Sequence, residues 1–275
     1  VPALITRDKP KARIRLIAER LDSFTVVTFQ EDFVYHKDLT HRVSDSTTIA
    51  RGNGARLTFG QLAFIPLLPA ALVCWPLPHC QFPVGSGLTT LVKPSLEVDF
   101  LGAHPYEECH GYYAAANDCM GTKGWMGVRV QFAAGSSVDI YTTHLDAAYS
   151  IRDRDVRSSQ LLEFAAAIRR LSAGRSVIVT GDLNSRRKDP LDHAPVAAFS
   201  TMLCLVEVPL KLQAVTGSVE ELDYILFRSG KGADIRIDGA EESTTFFENG
   251  KPLSDHPALE ADVHLSTRSE PGRCG

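Results

Sequence analysis

The sequence predicts an α/β sandwich. Strand-like and helical segments are interleaved without the strict strand–helix–strand alternation of a doubly wound sheet or barrel. The 275 residues include 44% hydrophobic and 23% charged residues, enough to bury a sizeable core, and no linker divides them. Gly (20) and Pro (15) occur at ordinary frequencies and no repeat is present, which excludes collagen, coiled-coil and disordered chains. The net charge of −4 excludes a broad basic surface for nucleic acid or anionic lipid but leaves room for a local basic groove.

In chain order, residues 9–21 place Ile14, Ile17, Ala18 and Leu21 on one face of a helix. Residues 24–29 (FTVVTF) form a β-branched and aromatic strand that ends in Gln30, Glu31 and Asp32. Residues 36–87 read as loop-rich. Strands follow at 88–92, 126–132 and 138–143, the last two joined as a hairpin that delivers His144. Leu161, Phe164, Ala165, Ile168 and Leu171 mark a helix over 155–171 that ends before Gly174. The continuously apolar run 176–180 predicts a strand buried on both faces, running into Gly181-Asp182-Leu183-Asn184. Two more strands are expected at 222–227 and 258–265, with Ser254-Asp255-His256 just before the second.

The most apolar window, 62–78, is too short and too rich in proline to span a membrane. Its Trp75, Leu72 and neighbouring apolar residues within 57–88 suit either adhesion to a lipid interface or closure of the core. Six cysteines lack any C-x-x-C spacing, which argues against a zinc ribbon or thioredoxin-type site. Cys74 with Cys80 and Cys109 with Cys119 lie close in loop-like stretches, as short disulfides of secreted proteins do, and a Cys109–Cys119 bridge is expected. Secretion is the expected localisation, and a chain opening at Val1 fits removal of a signal peptide.

Acids, amides and imidazoles collect at five strand boundaries: Glu31; His144; Asp182 with Asn184; Asp223; and Asp255 with His256. If these ends converge, their oxygens and imidazoles suit a hard cation, Mg²⁺ or alternatively Mn²⁺ or Ca²⁺. The chemistry served by such a cluster is phosphoester hydrolysis. Asp223 sits inside an apolar strand, where an unpaired carboxylate is costly, so a partner is demanded; His256 and an internal arginine are the alternatives.

In FQE (29–31), GSGL (85–88), KGW (123–125), THLDA (143–147), RSSQ (157–160), GDLNS (181–185), LDYI (222–225) and SDHPAL (254–259), the sequence resembles the endonuclease/exonuclease/phosphatase superfamily, most of all its neutral sphingomyelinase-like secreted phosphodiesterases. The resemblance covers roughly residues 1–265 as one catalytic domain, with 266–275 as a tail. It implies a four-layer α/β/β/α sandwich of the deoxyribonuclease I-like type with its site at one end of two sheets. Glu31 is then the main metal carboxylate and Asp255 an outer or alternate ligand. His256 is the general base, oriented by Asp223. Asp182 and Asn184 hold the attacking water and a phosphate oxygen, and His144 contacts the phosphate or helps protonate the leaving group. The family's first strand, which carries an Asn, is expected upstream of Val1 or absent.

The implied function is metal-dependent hydrolysis of a phospholipid headgroup at a membrane surface by a peripheral, monomeric enzyme. A deoxyribonuclease I-like nuclease acting on nucleic acid is the first alternative, and a non-catalytic binding protein of the same fold the second. Lys123 and Asn117 lie in the loop before the 126–132 strand, within reach of the phosphate, with a solvated lysine the preferred reading; Arg157 and Gln160 are read as fixing the 155–171 helix against the loop after His144.

Overall fold

The computed structural model describes residues 10–43, 48–52, 85–111, 118–119, 121–133, 135–211 and 221–272. The apolar stretch 57–84, the Cys74 and Cys80 pair and Asn117 lie outside the described residues. Along the chain come α1 (Pro10–Ala18), β1 (Val26–Phe29), α2 (His36–Thr40), β2 (Thr48–Arg51), β3 (Thr89–Val92), β4 (Glu97–Pro105), β5 (Gly124–Ala133) and β6 (Ser136–His144). They are followed by α3 (Ile151–Leu171), β7 (Val177–Asp182), α4 (Pro190–Leu203), β8 (Val206–Glu207), β9 (Leu210–Lys211), β10 (Asp223–Arg228), β11 (Asp234–Arg236) and β12 (Ala240–Glu242). The short strands β13 (Phe247–Glu248), β14 (Lys251–Pro252), β15 (Leu259–Glu260) and β16 (His264–Ser266) complete the series.

The β-branched and aromatic runs assemble a six-stranded sheet in the order β4-β5-β6-β7-β10-β8. Only β6 and β7 are parallel neighbours, and α3 connects them. Every residue of β6 is buried, as a central strand covered on both faces requires. One face of this sheet packs Tyr141, Val179, Tyr224 and Leu226 against Phe164 and Ile168 of α3 and Val196 and Phe199 of α4. The other face packs Val128, Ile140, Ile178 and Ile225 against a second β layer that supplies Ala50, Val92, Ile235 and Ala240. Beyond that layer, Leu21 and Ala18 after and within α1 and Leu39 of α2 pack on Leu91, with Val27 and Phe29 alongside. The order of layers is therefore α/β/β/α.

Several boundaries differ from the sequence expectation for identifiable reasons. The helix expected from residue 155 starts at Ile151, because Ser150 accepts from the Asp153 backbone N–H while the Asp153 carboxylate accepts from that of Ser150, a complete capping box. The 36–87 stretch holds α2 and β2 among its described residues. The strand expected at 258–265 is divided into β15 and β16, which pair with different partners. Helix α4 carries no expectation from periodicity, since Pro190 and Pro195 interrupt it; Pro190 occupies the first turn, where no intrahelical N–H is needed, and Asp189 caps it by accepting from Leu191 N. The disulfide expected between Cys109 and Cys119 is present.

Candidate active site

One row across the main sheet assembles most of the site. Parallel pairing puts His144, the last residue of β6, beside Asp182, the last of β7. The antiparallel β10 then sets Asp223, its first residue, on the other side of Asp182. Gly124, the first residue of β5, pairs with His144 from the opposite side, so Lys123 stands at the same edge. Gly181 makes the row possible: it has φ +150°, and a Cβ there would lie 2.1 Å from the Thr143 carbonyl oxygen.

Two further elements bring side chains to this row. The loop before β15 delivers His256, whose Nδ1 lies 2.8 Å from Asp223 Oδ2 and 3.8 Å from Asp182 Oδ2. That pairing answers the demand for a partner at Asp223. Glu31, just past β1, has φ +60°, a left-handed conformation that costs a non-glycine residue roughly 1–2 kcal/mol. Its carboxyl lies within the electrostatic reach of His144 and Lys123.

Lys123 corrects the expectation of a solvated lysine. It is 8% exposed, its Nζ donates to His144 Nε2 at 2.8 Å, and it pairs with Asp118 Oδ1 at 3.0 Å. Asp118, equally buried, accepts from Ala147 N through its other oxygen at 2.6 Å. Sequence reasoning weighed Lys123 and preferred the solvated reading, and it missed Asp118; the signal was the position of Lys123 directly before the strand that pairs with His144. Arg157 and Gln160 act as expected: Arg157 donates to the carbonyls of Asp146 and Ala148, and Gln160 Oε1 accepts from Asp146 N. Asn184 is 6% exposed, its N–H bonded to Asp182 Oδ1 and its amide to the Leu145 carbonyl, which ties the loops after β6 and β7 together.

The electrostatics are strongly coupled. Burial, then the Lys123 ammonium, lower the His144 imidazole well below 6.5, so it is neutral at pH 7. Burial alone would raise the Glu31 carboxyl, but the neighbouring His144 and Lys123 outweigh it and hold it below its ordinary range. Burial and the neighbouring Asp223 push Asp182 up to about 7. The hydrogen bond to Asp223, against burial, raises His256 to about 9.

Asp182, Asp223 and His256 present ligand atoms all within 4.8 Å of one another. Two carboxylates and an imidazole this closely spaced are a donor set that a hard divalent cation accepts, so the residues present fit such an ion. Asp255 is exposed and stands outside this group, although its charge reaches His256.

The Endonuclease/Exonuclease/phosphatase family matches residues 5–256. The chain is 27% identical over 262 residues to a sphingomyelinase of Mycobacterium tuberculosis, covering 90% of this chain and 47% of that protein, so it spans about half the length of the curated relative. A mutant of beta toxin from Staphylococcus aureus with bound magnesium ions superposes with a TM-score of 0.62 at 16% identity, covering 94% of this chain and 92% of that one. D. rerio TDP2 complexed with a single-strand DNA product does so with a TM-score of 0.62 at 18% identity, covering 96% of each chain. The fold is deoxyribonuclease I-like.

Proposed function

Because the chain belongs to the endonuclease/exonuclease/phosphatase family, we propose that it is a secreted, divalent-metal-dependent phosphodiesterase that hydrolyses a phospholipid headgroup, in the manner of a sphingomyelinase. The observation that carries this reading is the row His144–Asp182–Asp223 with His256 bonded to Asp223, an arrangement that pairs an oriented base with a carboxylate cluster.

His256 accepts the proton of the attacking water on Nε2, while Asp223 holds Nδ1 and compensates the imidazolium that forms. Asp182 and Asn184 orient the water and a phosphate oxygen. Lys123 and the neutral His144 stand at the other end of the row from Asp223, where the ammonium charge and an imidazole hydrogen bond stabilise the departing alkoxide, which takes its proton from solvent. Glu31 would be the principal carboxylate holding the cation, with the Asp182 and Asp223 carboxylates able to share it and Asp255 an outer or alternate ligand. When bound, that cation supplies positive charge to the phosphate oxygens and offsets the carboxylates that raise His256.

Support for a lipid over a nucleic acid comes from the relative's name and from the basic residues beside the site. Arg186 pairs with Asp189 and Asp192, Arg187 with Glu207, and Lys188 with Glu221, so the arginines and lysine of the loop after Asn184 are neutralised by carboxylates instead of forming a phosphate-tracking groove. The test is hydrolysis of sphingomyelin vesicles, lysophospholipid, plasmid DNA and a chromogenic phosphodiester, with Mg²⁺ and with chelator. Mg²⁺-dependent release of phosphocholine is expected. DNA cleavage without lipid turnover would establish the nuclease reading, and inertness towards every substrate a binding protein.

A further inference from the structure

We propose that Asp32, His36 and Thr89 form a buried positioning unit that sets the carboxylate of Glu31 towards its cation, a role that rests on the reading of Glu31 as the principal metal ligand. The argument starts from strand alternation. In and just after β1, Thr28 bonds Thr180 at 2.9 Å and Gln30 bonds Thr142 at 2.8 Å, so the even-numbered residues face the main sheet. Val27 and Phe29 face the other way, into the cluster with α1 and α2. Continued alternation would send Glu31 to that outer side, away from His144. The left-handed turn at Glu31 breaks the alternation, bringing Glu31 under the influence of His144 and Lys123 and leaving Asp32 to face α2.

What holds that turn is a set of contacts made by its neighbours. Asp32 N donates to the Gly87 carbonyl at 3.0 Å. Asp32 Oδ2 accepts from Thr89 Oγ1 at 2.6 Å and lies 2.6 Å from His36 Nδ1, which is also 3.1 Å from Thr89 Oγ1. Thr89 opens β3, the strand between β1 and β2, and pairs directly with Phe29, so the turn is pinned to a central strand of its own sheet. The opposing segment approaches too closely for a side chain: at Gly87 (φ +63°) a Cβ would lie 3.0 Å from Glu31 Cα and 2.7 Å from the Phe33 ring.

Asp32 is 2% exposed, and its second oxygen, Oδ1, is buried without a hydrogen-bond partner. An apolar side chain would fill this place under α2 without the desolvation of a charge, so packing does not account for the carboxylate. Anchoring the residue next to a metal ligand does. Partners that orient ligands without touching the metal typically change metal affinity 10- to 100-fold when removed.

The experiment measures Mn²⁺ binding by isothermal titration calorimetry on the intact protein, together with melting temperature and the Mg²⁺ concentration giving half-maximal hydrolysis of a chromogenic phosphodiester. Asp32→Val is expected to weaken Mn²⁺ binding at least about 10-fold and to raise the half-maximal Mg²⁺ in parallel. Asp32→Asn, which keeps an acceptor for Thr89, should recover most of that loss. A folded Asp32→Val protein with unchanged Mn²⁺ affinity overturns the proposal. Should Asp32→Val fail to fold, Thr89→Val and His36→Leu each remove one contact and must weaken Mn²⁺ binding at least about threefold, and unchanged affinity in both overturns it equally. Glu31→Gln separates the two levels: if it leaves Mn²⁺ binding intact, the assignment of Glu31 as ligand has failed; if it abolishes binding while the Asp32 variants do not alter it, only the positioning role has failed.

Discussion

His256 and Asp223 set the pH response of the proposed chemistry. Hydrogen bonding to the Asp223 carboxylate is the first cause of the rise of His256 to about 9, so in metal-free protein the imidazole holds its proton at pH 7. Asp223→Asn removes that acceptor charge and should lower the His256 titration point, followed by NMR, and move the acid limb of the pH–activity profile to lower pH. Activity should fall at least about 10-fold as the base loses strength and orientation, and His256→Ala should lose about 10²-fold or more. An unchanged His256 titration in Asp223→Asn would contradict the assigned cause. Asp146 yields a stability prediction instead. Burial, then Asp118, raises it to about 7, above the unfolded value near 3.8, so the folded state keeps a proton that the unfolded chain releases. Its contribution favours folding most below pH 4 and is lost progressively as pH rises towards 7. Asp146→Asn should therefore melt higher than the parent at pH 8, with the gap narrowing by pH 5.

At the scale of elements, the site depends on the close approach of β6 and β7. The Cβ of Gly181→Ala would meet the Thr143 carbonyl oxygen in the adjoining strand, one position before His144 and Asp182 face each other. This substitution should destabilise the protein by about 3 kcal/mol or more in urea unfolding and depress activity beyond the loss of folded protein. Helix α3 acts from behind the same strand. Arg157, 1% exposed, donates to two carbonyls of the loop after His144 and lies 3.6 Å from Asp192. The RSSQ segment was legible as structural because its Arg and Gln fall one helical turn apart on one face.

For the molecule as a whole, four layers converge on one edge, and the Cys109–Cys119 disulfide fastens the segment that carries Asp118 to it. Closing a loop of about ten residues is worth about 3 kcal/mol through the unfolded chain, so Cys109→Ser should lower stability by about that amount. Thiol labelling of unreduced, denatured protein should leave both cysteines unmodified. A bridge of this kind supports the proposed export to an oxidising compartment. Among the described residues no helix is long and apolar enough to cross a membrane.

The sequence by itself determined the layered α/β character, the identity of the polar strand ends and the demand for a partner at Asp223, because strand composition and the cost of a lone carboxylate in an apolar strand are local properties; the structure chose His256 over an arginine. It also contained GDLN and SDH, whose order along the chain carries the family resemblance. Tertiary structure alone decided the rest. Parallel pairing of β6 with β7 set His144 beside Asp182, and strand register put Lys123 at that edge, where burial turned an ordinary lysine into a site residue. The left-handed turn at Glu31 could not be read from FQED, since alternation points Glu31 outward. Contacts from Gly87 and Thr89, more than fifty residues downstream and across the sheet, hold that turn. Such long-range packing has no signature in any short stretch of chain.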